Sequence, residues 1–268
     1  MKASHSNAIA PIRLIQITDT HLFAGPDEEL KGCNTRRALE RVVSRAQAEE
    51  PRASAILATG DLAQDESAGA YRQFREILEP TGLTVWCLPG NHDNPALMAQ
   101  LLNPGIPAPA RRVEAGTWQV FLLNSQVPGE IGGRVTPGLV DWLDRALGEA
   151  AKRPALIAMH HPPAALGSPW LDAIGLDGGE ALLDMLAGHA RVAAVVAGHV
   201  HQCFDQRVRG VRVLTTPATC IQFLPGSETF TLDTQPPGYR ILDLHANGRL
   251  ETEVRRVPGA LAPASEEA

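Results

Sequence analysis

Cysteine is scarce in this chain. Its 268 residues include four, Cys33, Cys87, Cys203 and Cys220, and none of them pair in a CxxC spacing. That argues against a thiolate zinc site or a disulfide framework, and reads as reduced thiols in a cytoplasmic protein. Long apolar runs are missing too. Nothing approaches the roughly 20 apolar residues that cross a bilayer, so no membrane partner is expected. Residues 1–11 carry one lysine and no apolar stretch, which makes a poor secretory signal. Positive charge is not in excess: 24 Lys and Arg face 30 Asp and Glu, for a net charge of −6. This balance argues against binding a nucleic-acid backbone. It leaves an anionic small substrate open, because bound cations would dominate the local field. There is no internal repeat and no linker.

What is present is a layout that recurs five times. An apolar, largely β-branched run ends in Asp, His or Asn. Ile12-Arg13-Leu14-Ile15-Gln16-Ile17 leads to Asp19-Thr20-His21. Ala55-Ile56-Leu57-Ala58 leads to Gly60-Asp61. Leu83-Thr84-Val85-Trp86-Cys87 leads to Gly90-Asn91-His92-Asp93. Ala155-Leu156-Ile157-Ala158-Met159 leads to His160-His161, and Val192-Ala193-Ala194-Val195-Val196 leads to Gly198-His199-Val200-His201. Short apolar runs bounded by Gly or Pro read as buried strands. Ligands of open α/β sheets sit beyond the carboxyl ends of strands. Five strands that bring oxygen and nitrogen donors to one edge imply one polynuclear metal centre.

Between these runs the pattern is helical. Asn34 or Thr35 caps a helix to about residue 50, stopped by Pro51. Further helices are expected near 67–79, 95–102 and 180–188, and another behind Thr136 with Pro137 at its first position. Strands are expected near 111–115 and 118–124. From 204 the pattern becomes a β meander: 204–208, 211–216, 229–232, 239–244 and 250–256, with Asn247-Gly248 as a hairpin turn. The expected fold class is α/β, two packed mixed sheets with helices outside. The expected organisation is a loose arm over 1–11, one domain over 12–257 and a flexible tail over 258–268.

The donors are Asp, His and one Asn, with no cysteine. Such a set suits Mn, Fe, Zn or Co better than a closed structural zinc site. Two cations close together need a shared carboxylate, and Asp61 is the natural bridge because its strand should lie between the others. Asp19 and His21 point the same way on an extended chain and can grip one ion. His199 and His201 have the same spacing, yet each can reach a different ion. Such a pair of ions lowers the pKa of a bridging water and neutralises phosphoryl oxygens, so phosphate esters are the expected substrate class. None of the five motifs contains Lys or Arg, which leaves charge stabilisation to the ions. His161 reads either as a support for its neighbour or as partly exposed. Trp170 reads equally as loop packing or as a substrate wall.

Asp19-x-His21, Gly60-Asp61, Gly90-Asn91-His92-Asp93, His160 and Gly198-His199-x-His201 resemble the calcineurin-like metallophosphoesterase pattern in order and spacing. The likeness spans about 12–201. A narrower resemblance, to the bacterial class III 3′,5′-cyclic AMP phosphodiesterases, rests on residues 14–23, 58–65, 219–223, 230–234 and 237–240. It implies a four-layer α/β/β/α sandwich and a dinuclear site loaded with Fe or Mn. It implies that Asp19, His21, Asp61 and His201 hold one ion, and that Asp61, Asn91, His160 and His199 hold the other. His92 would be the catalytic acid, with Asp65 orienting its ring. His21, Asn91, His92 and His161 would face the phosphate, and Trp170 and Phe223 the base. The expected reaction is hydrolysis of 3′,5′-cyclic AMP to 5′-AMP, with the cyclic nucleotide as a small-molecule partner. Two other readings stay open: a glycerophosphodiesterase-like enzyme of the same superfamily, and a regulatory protein that keeps the metal fold without turnover.

Overall fold

Alternation along each strand decides the layers. In the computed structural model the described residues are 10–102 and 110–260. In chain order the strands are β1 (Ile12–Ile17), β2 (Glu29–Leu30), β3 (Cys33–Asn34), β4 (Ala53–Ala58), β5 (Thr84–Cys87) and β6 (Ala110–Ala115). There follow β7 (Trp118–Leu123), β8 (Gly133–Arg134), β9 (Ala155–Ala158), β10 (Leu176–Asp177), β11 (Val192–Ala197) and β12 (Phe204–Val208). The last are β13 (Val211–Thr215), β14 (Gln222–Phe223), β15 (Leu232–Asp233), β16 (Gly238–Leu244) and β17 (Leu250–Arg256). The α-helices are α1 (Thr35–Glu49), α2 (Ala68–Leu78), α3 (Pro95–Leu101), α4 (Pro137–Glu149), α5 (Pro169–Asp172) and α6 (Gly179–Ala187).

Two mixed sheets form, in the orders β17-β16-β1-β4-β5 and β12-β13-β11-β9-β7-β6. β1, β4 and β5 run parallel in the first, and β7, β9, β11 and β13 in the second. Leu14, Leu57, Trp118, Val120, Leu156, Val196 and Leu242 share the core between the two sheets. The other face of the first sheet, with Ile15, Ile17 and Ile56, packs under α1 and α2 through Leu39, Val42, Tyr71 and Phe74. Phe121, Ile157 and Val195 of the second sheet pack under α4 and α6 through Leu143, Leu147, Leu182 and Leu186. The result is the expected four-layer α/β/β/α arrangement. Each fully buried Leu, Ile or Phe contributes roughly 1.5–3 kcal/mol, so three such layers hold the strand ends firmly.

Helix starts follow local chemistry. Asn34 accepts from the Arg37 amide and Thr136 from the Leu139 amide, so both caps are made. The carboxy-terminal strands depart from the expected meander. β12 and β13 extend the second sheet, whereas β16 and β17 return to the first. The strand expected over 229–232 is reduced to Leu232–Asp233, which forms a small hairpin with Gln222–Phe223, Gln222 opposite Asp233 and Phe223 opposite Leu232. The tail differs as well. Ala260 is buried in the core beneath the α1–α2 layer, and Arg41 donates to the Gly259 carbonyl at 2.6 Å. Of the expected arm only residues 10 and 11 lie among those described, and the tail beyond 260 lies outside them. No described helix is long and apolar enough to cross a membrane.

Candidate metal centre and substrate cavity

The parallel strands of both sheets end on the same side, and every donor motif lies just past such an end. Asp19 and His21 follow β1, Asp61 follows β4, and Asn91 and His92 follow β5. His160 follows β9, and His199 and His201 follow β11. The donors therefore converge from two facing sheets, rather than along one edge. β4 lies between β1 and β5, which puts Asp61 in the middle of its sheet.

Close approach within and between the sheets explains the motif glycines. A Cβ on Gly198 would collide with the Thr18 hydroxyl and the Asp19 carboxylate, and a Cβ on Gly90 with the Asp61 carboxylate. The expectation that Asp19 and His21 sit on extended backbone is not met. Both are left-handed, with φ of 53° and 45°. Asp61, His199 and His201 are left-handed too, at 51°, 70° and 48°. Non-glycine residues in that region cost of order 1–3 kcal/mol each, and such strain gathers at functional sites. The turn replaces strand geometry in aiming these side chains inward. The Asp19 carboxylate accepts from the His199 amide, with 3.1 Å to each oxygen, so the loop of one sheet is tied to the ligand of the other. Asp61 is held in the same way by the His92 amide at 2.9 Å.

The imidazoles are oriented by carbonyls. His160 Nδ1 donates to Thr59 O at 2.8 Å, His201 Nδ1 to Ile221 O at 2.8 Å, and His199 Nε2 to Ile174 O at 3.1 Å. Each ring thus gives away one N–H and turns its other nitrogen into the site, as ring-ligated metal centres require. His160 Nε2 lies 3.4 Å from Asp61 Oδ2 and 3.2 Å from Asn91 Oδ1. His199 Nδ1 lies 3.1 Å from the same Asn91 oxygen. On the other side His21 Nε2 faces His201 Nε2 at 3.1 Å and Asp61 Oδ2 at 3.7 Å. His201 Nε2 is also 3.5 Å from Asp19 Oδ1. Two groups of donors form, with Asp61 common to both.

Electrostatics bear on the same point. Burial disfavours an ionised Asp61, yet the facing His160 and His21 rings outweigh it and hold the carboxyl well below the usual range. Burial also opposes a charged His160, and Asp61 overcomes that to raise it to about 9. His21 is pushed down to about 3 and His199 to about 4, mainly by burial. Carboxylates and lone-pair nitrogens thus outnumber donors in a buried space, and two cations would satisfy them. The residues present fit a dinuclear metal centre: Asp19, His21, Asp61 and His201 for one ion, and Asp61, Asn91, His160 and His199 for the other.

His161 does not line the cavity over the donors. It is fully buried, Nδ1 meets Ser125 Oγ at 2.8 Å, and Nε2 donates to Ile131 O at 3.0 Å. Both of its nitrogens are engaged by protein atoms, although one of them lies within 4.8 Å of ring nitrogens of His160 and His199. The alternation of β9 accounts for this: Leu156 and Ala158 face the other sheet, and His160 continues that side. Asp65 does not orient His92 either. It is exposed, and its oxygens accept from the Ala24 amide at 2.9 Å and the Ser67 amide at 3.1 Å. The contact to the His92 ring comes from Gln64, whose Nε2 lies 3.4 Å from Nδ1. Asp93 is structural: it accepts from the Leu62, Ala63 and Gly90 amides and from the Tyr71 hydroxyl, and ties β4 to β5.

A cavity of about 240 Å³ opens over the donors. Half-exposed His92, with Asn91, His21 and Gln64, lines its metal end. Trp170, Phe223 and Phe230 line the far end, with ring centroids 5.1–5.4 Å apart and edge-to-face contacts. Phe223 stacks on His201 at 4.1 Å, which joins the two ends. Sequence reasoning missed Gln64, Phe230, Ile131 and Lys31, all on this wall. Lys31 has a detectable signal: it precedes Gly32 at the turn between β2 and β3.

The chain belongs to the calcineurin-like phosphoesterase family, whose sequence profile matches residues 12–203. Two relatives have a narrower description. The 3′,5′-cyclic adenosine monophosphate phosphodiesterase CpdA of Pseudomonas aeruginosa is 42% identical over 256 residues, covering 94% of each chain. The protein of that name from Escherichia coli K12 is 44% identical over 251 residues, covering 92% of this chain and 90% of its own. Among solved structures, a dimetal phosphatase from Danio rerio superposes with a TM-score of 0.68 at 17% identity, covering 93% of this chain and all of that one. That likeness shows the fold alone.

Proposed function

We propose that the chain hydrolyses 3′,5′-cyclic AMP to 5′-AMP at a dinuclear metal centre. The observation that carries the chemistry is Asp61, whose carboxylate stands 3.4 Å from His160 and 3.7 Å from His21 and so belongs to both groups of donors. The substrate comes from the relatives that cover nearly the whole chain. Iron and manganese are the proposed metals, in keeping with the resemblance and with nitrogen and oxygen donors lacking thiolate. A cytoplasmic location agrees with four free cysteines.

When bound, the two ions supply an activated water and neutralise the phosphoryl oxygens. The rest falls to the side chains. Asn91, fixed between His160 and His199, sets the phosphate end of the cavity. His92 stands at the wall with its amide anchored on Asp61 and its ring steadied by Gln64. There it gives a proton to O3′ as the P–O3′ bond breaks and the P–OH bond forms opposite. His92 also comes within ligand distance of His21 and Asp61. We place it on the substrate side because it alone of the histidines in these groups is half exposed. The base lies at the far end, among Trp170, Phe223 and Phe230.

The test is product analysis after reconstitution with manganese or iron, with 3′,5′-cyclic AMP and glycerophosphodiesters as parallel substrates. Formation of 5′-AMP is expected. If simple phosphodiesters are cleaved while cyclic AMP survives, the metal chemistry stands and the substrate assignment falls.

A further inference from the structure

A second cavity begins where the first one ends. Asn91, His92 and Ile131 line the cavity over the donors and also one end of a groove of about 620 Å³. The two spaces therefore meet at the proposed acid. None of Trp170, Phe223 and Phe230 lines the groove. Its walls come instead from the turns after β5, which carry Asn94, and after β7, which carry Asn124 and Gln126. The floor is tied across the two sheets, because Gln126 Nε2 donates to the Asp93 carbonyl at 2.5 Å. Cyclic AMP has no group to place here. Its departing O3′ belongs to the same ribose that carries O5′, so nothing extends from phosphorus past His92.

The chemistry of the groove is the reverse of the aromatic end. Asn94 Oδ1 accepts from the Ala96 and Leu97 amides, each at 3.1 Å, and Asn124 Oδ1 from the Gln126 amide at 2.9 Å. Both oxygens are spent on backbone, and both side chains are half-buried. Each amide nitrogen is left with its N–H groups facing no protein acceptor among the described residues. Gln126 is turned the other way: its nitrogen is spent on Asp93, which leaves Oε1 to accept. The Glu66 carboxylate adds a further acceptor. Among the described residues no Lys, Arg, Phe, Tyr or Trp lines the groove. It therefore offers nothing to neutralise an anion and no aromatic face beyond His92 to stack on. Donors beside acceptors match the adjacent hydroxyls of a sugar or polyol, since each hydroxyl both gives and accepts a hydrogen bond.

We propose that this groove holds the leaving alcohol of a linear phosphodiester, and that the protein also cleaves diesters of 5′-AMP with a sugar or polyol. The 5′-AMP part lies as the product of cyclic AMP does, and the alcohol passes His92 into the groove. The oxygen of water forms the new P–O bond while the P–O bond to the alcohol breaks opposite it. The proton on His92 goes to the departing oxygen, so one water is consumed and 5′-AMP and the free alcohol are released. His92 has the same task with either substrate, and only the tether of the leaving oxygen differs. This substrate class, which rests on the phosphodiesterase reading of the site, gives Asn94 and Asn124 a role in choosing the leaving group.

The metal-loaded protein is assayed on cyclic AMP, on the glyceryl ester of 5′-AMP, and on the propyl ester, which has the same chain without the free hydroxyls. Release of 5′-AMP from all three is expected. KM for the glyceryl ester should be lower than for the propyl ester by roughly tenfold, the scale of one or two hydrogen bonds. Asn94→Ser and Asn124→Ser keep an oxygen that can cap or turn the backbone and remove the amide donor. Each should leave the kinetics on cyclic AMP unchanged and weaken the preference for the glyceryl ester, and the double variant should abolish it. Cleavage of cyclic AMP with the glyceryl ester intact overturns the groove assignment and leaves the cyclic-nucleotide reading standing. Equal KM for the two esters in the wild type overturns it too, and needs no variant. So does a double variant that keeps the preference, or one that slows on all three substrates alike, which would mark the asparagines as structural. Cleavage of the glyceryl ester, with its preference, while cyclic AMP survives keeps the groove assignment and removes the cyclic nucleotide. If neither is cleaved, both fall.

Discussion

At one end of the cavity Asp19, His21, Asp61, His160, His199 and His201 are each at most 6% exposed. At the other end Phe230 is 48% exposed. The donors hang from the ends of central strands in two packed sheets. The aromatics hang from a four-residue helix, a two-residue strand and the turn that follows it. A donor set must hold its geometry closely, and here the His160, His199 and His201 rings are each locked by a carbonyl and each carboxylate by an amide or a facing ring. The aromatic end is instead carried on loops over a rigid frame. The two ends therefore answer to different pressures.

The sharpest break is at the shared carboxylate. Asp61→Ala should lose both ions, as read by elemental analysis, and with them turnover on every phosphodiester. Asn91→Ala should weaken mainly one ion. Unchanged metal content in Asp61→Ala would end the dinuclear assignment. Next comes the acid. His92→Ala should keep its metals and lose roughly 10²–10⁴-fold in kcat, the range for a positioned general acid. If metal leaves with the imidazole, His92 is a ligand instead. The smallest effect is expected at its support. Gln64→Ala frees one contact of the His92 ring and should cost roughly tenfold or less in kcat, the scale of one hydrogen bond. Asp65→Ala should cost less still, because its carboxylate serves the Ala24 and Ser67 amides. A larger loss at Asp65 than at Gln64 would reverse the assignment made from their contacts.

The metal end was legible in the sequence. Each donor lies within a few residues of an apolar run, so strand periodicity is enough to locate it. Both core faces follow from the same alternation, which is why the four layers could be expected. The strands after 204 were harder. Their pattern marks them as strands but says nothing of which sheet they join, and pairing β13 with β11 and β16 with β1 is settled by contacts more than fifteen residues apart in sequence.

The chain by itself thus determined the donor types, their order and the strands that carry them, because these are local: a short apolar run, a turn and a polar side chain within about ten residues. Only the tertiary structure decided the rest. It put Asp19 and His21 on left-handed turns, where sequence spacing had suggested an extended chain. It separated His160 from His161, because one side of β9 faces the other sheet and the other side faces the helices. It gave the His92 contact to Gln64, and brought Lys31 within 5.6 Å of the Phe230 ring although they stand far apart in the chain. Contacts of that kind depend on how two sheets and their hairpins pack, and no window of neighbouring residues contains that information.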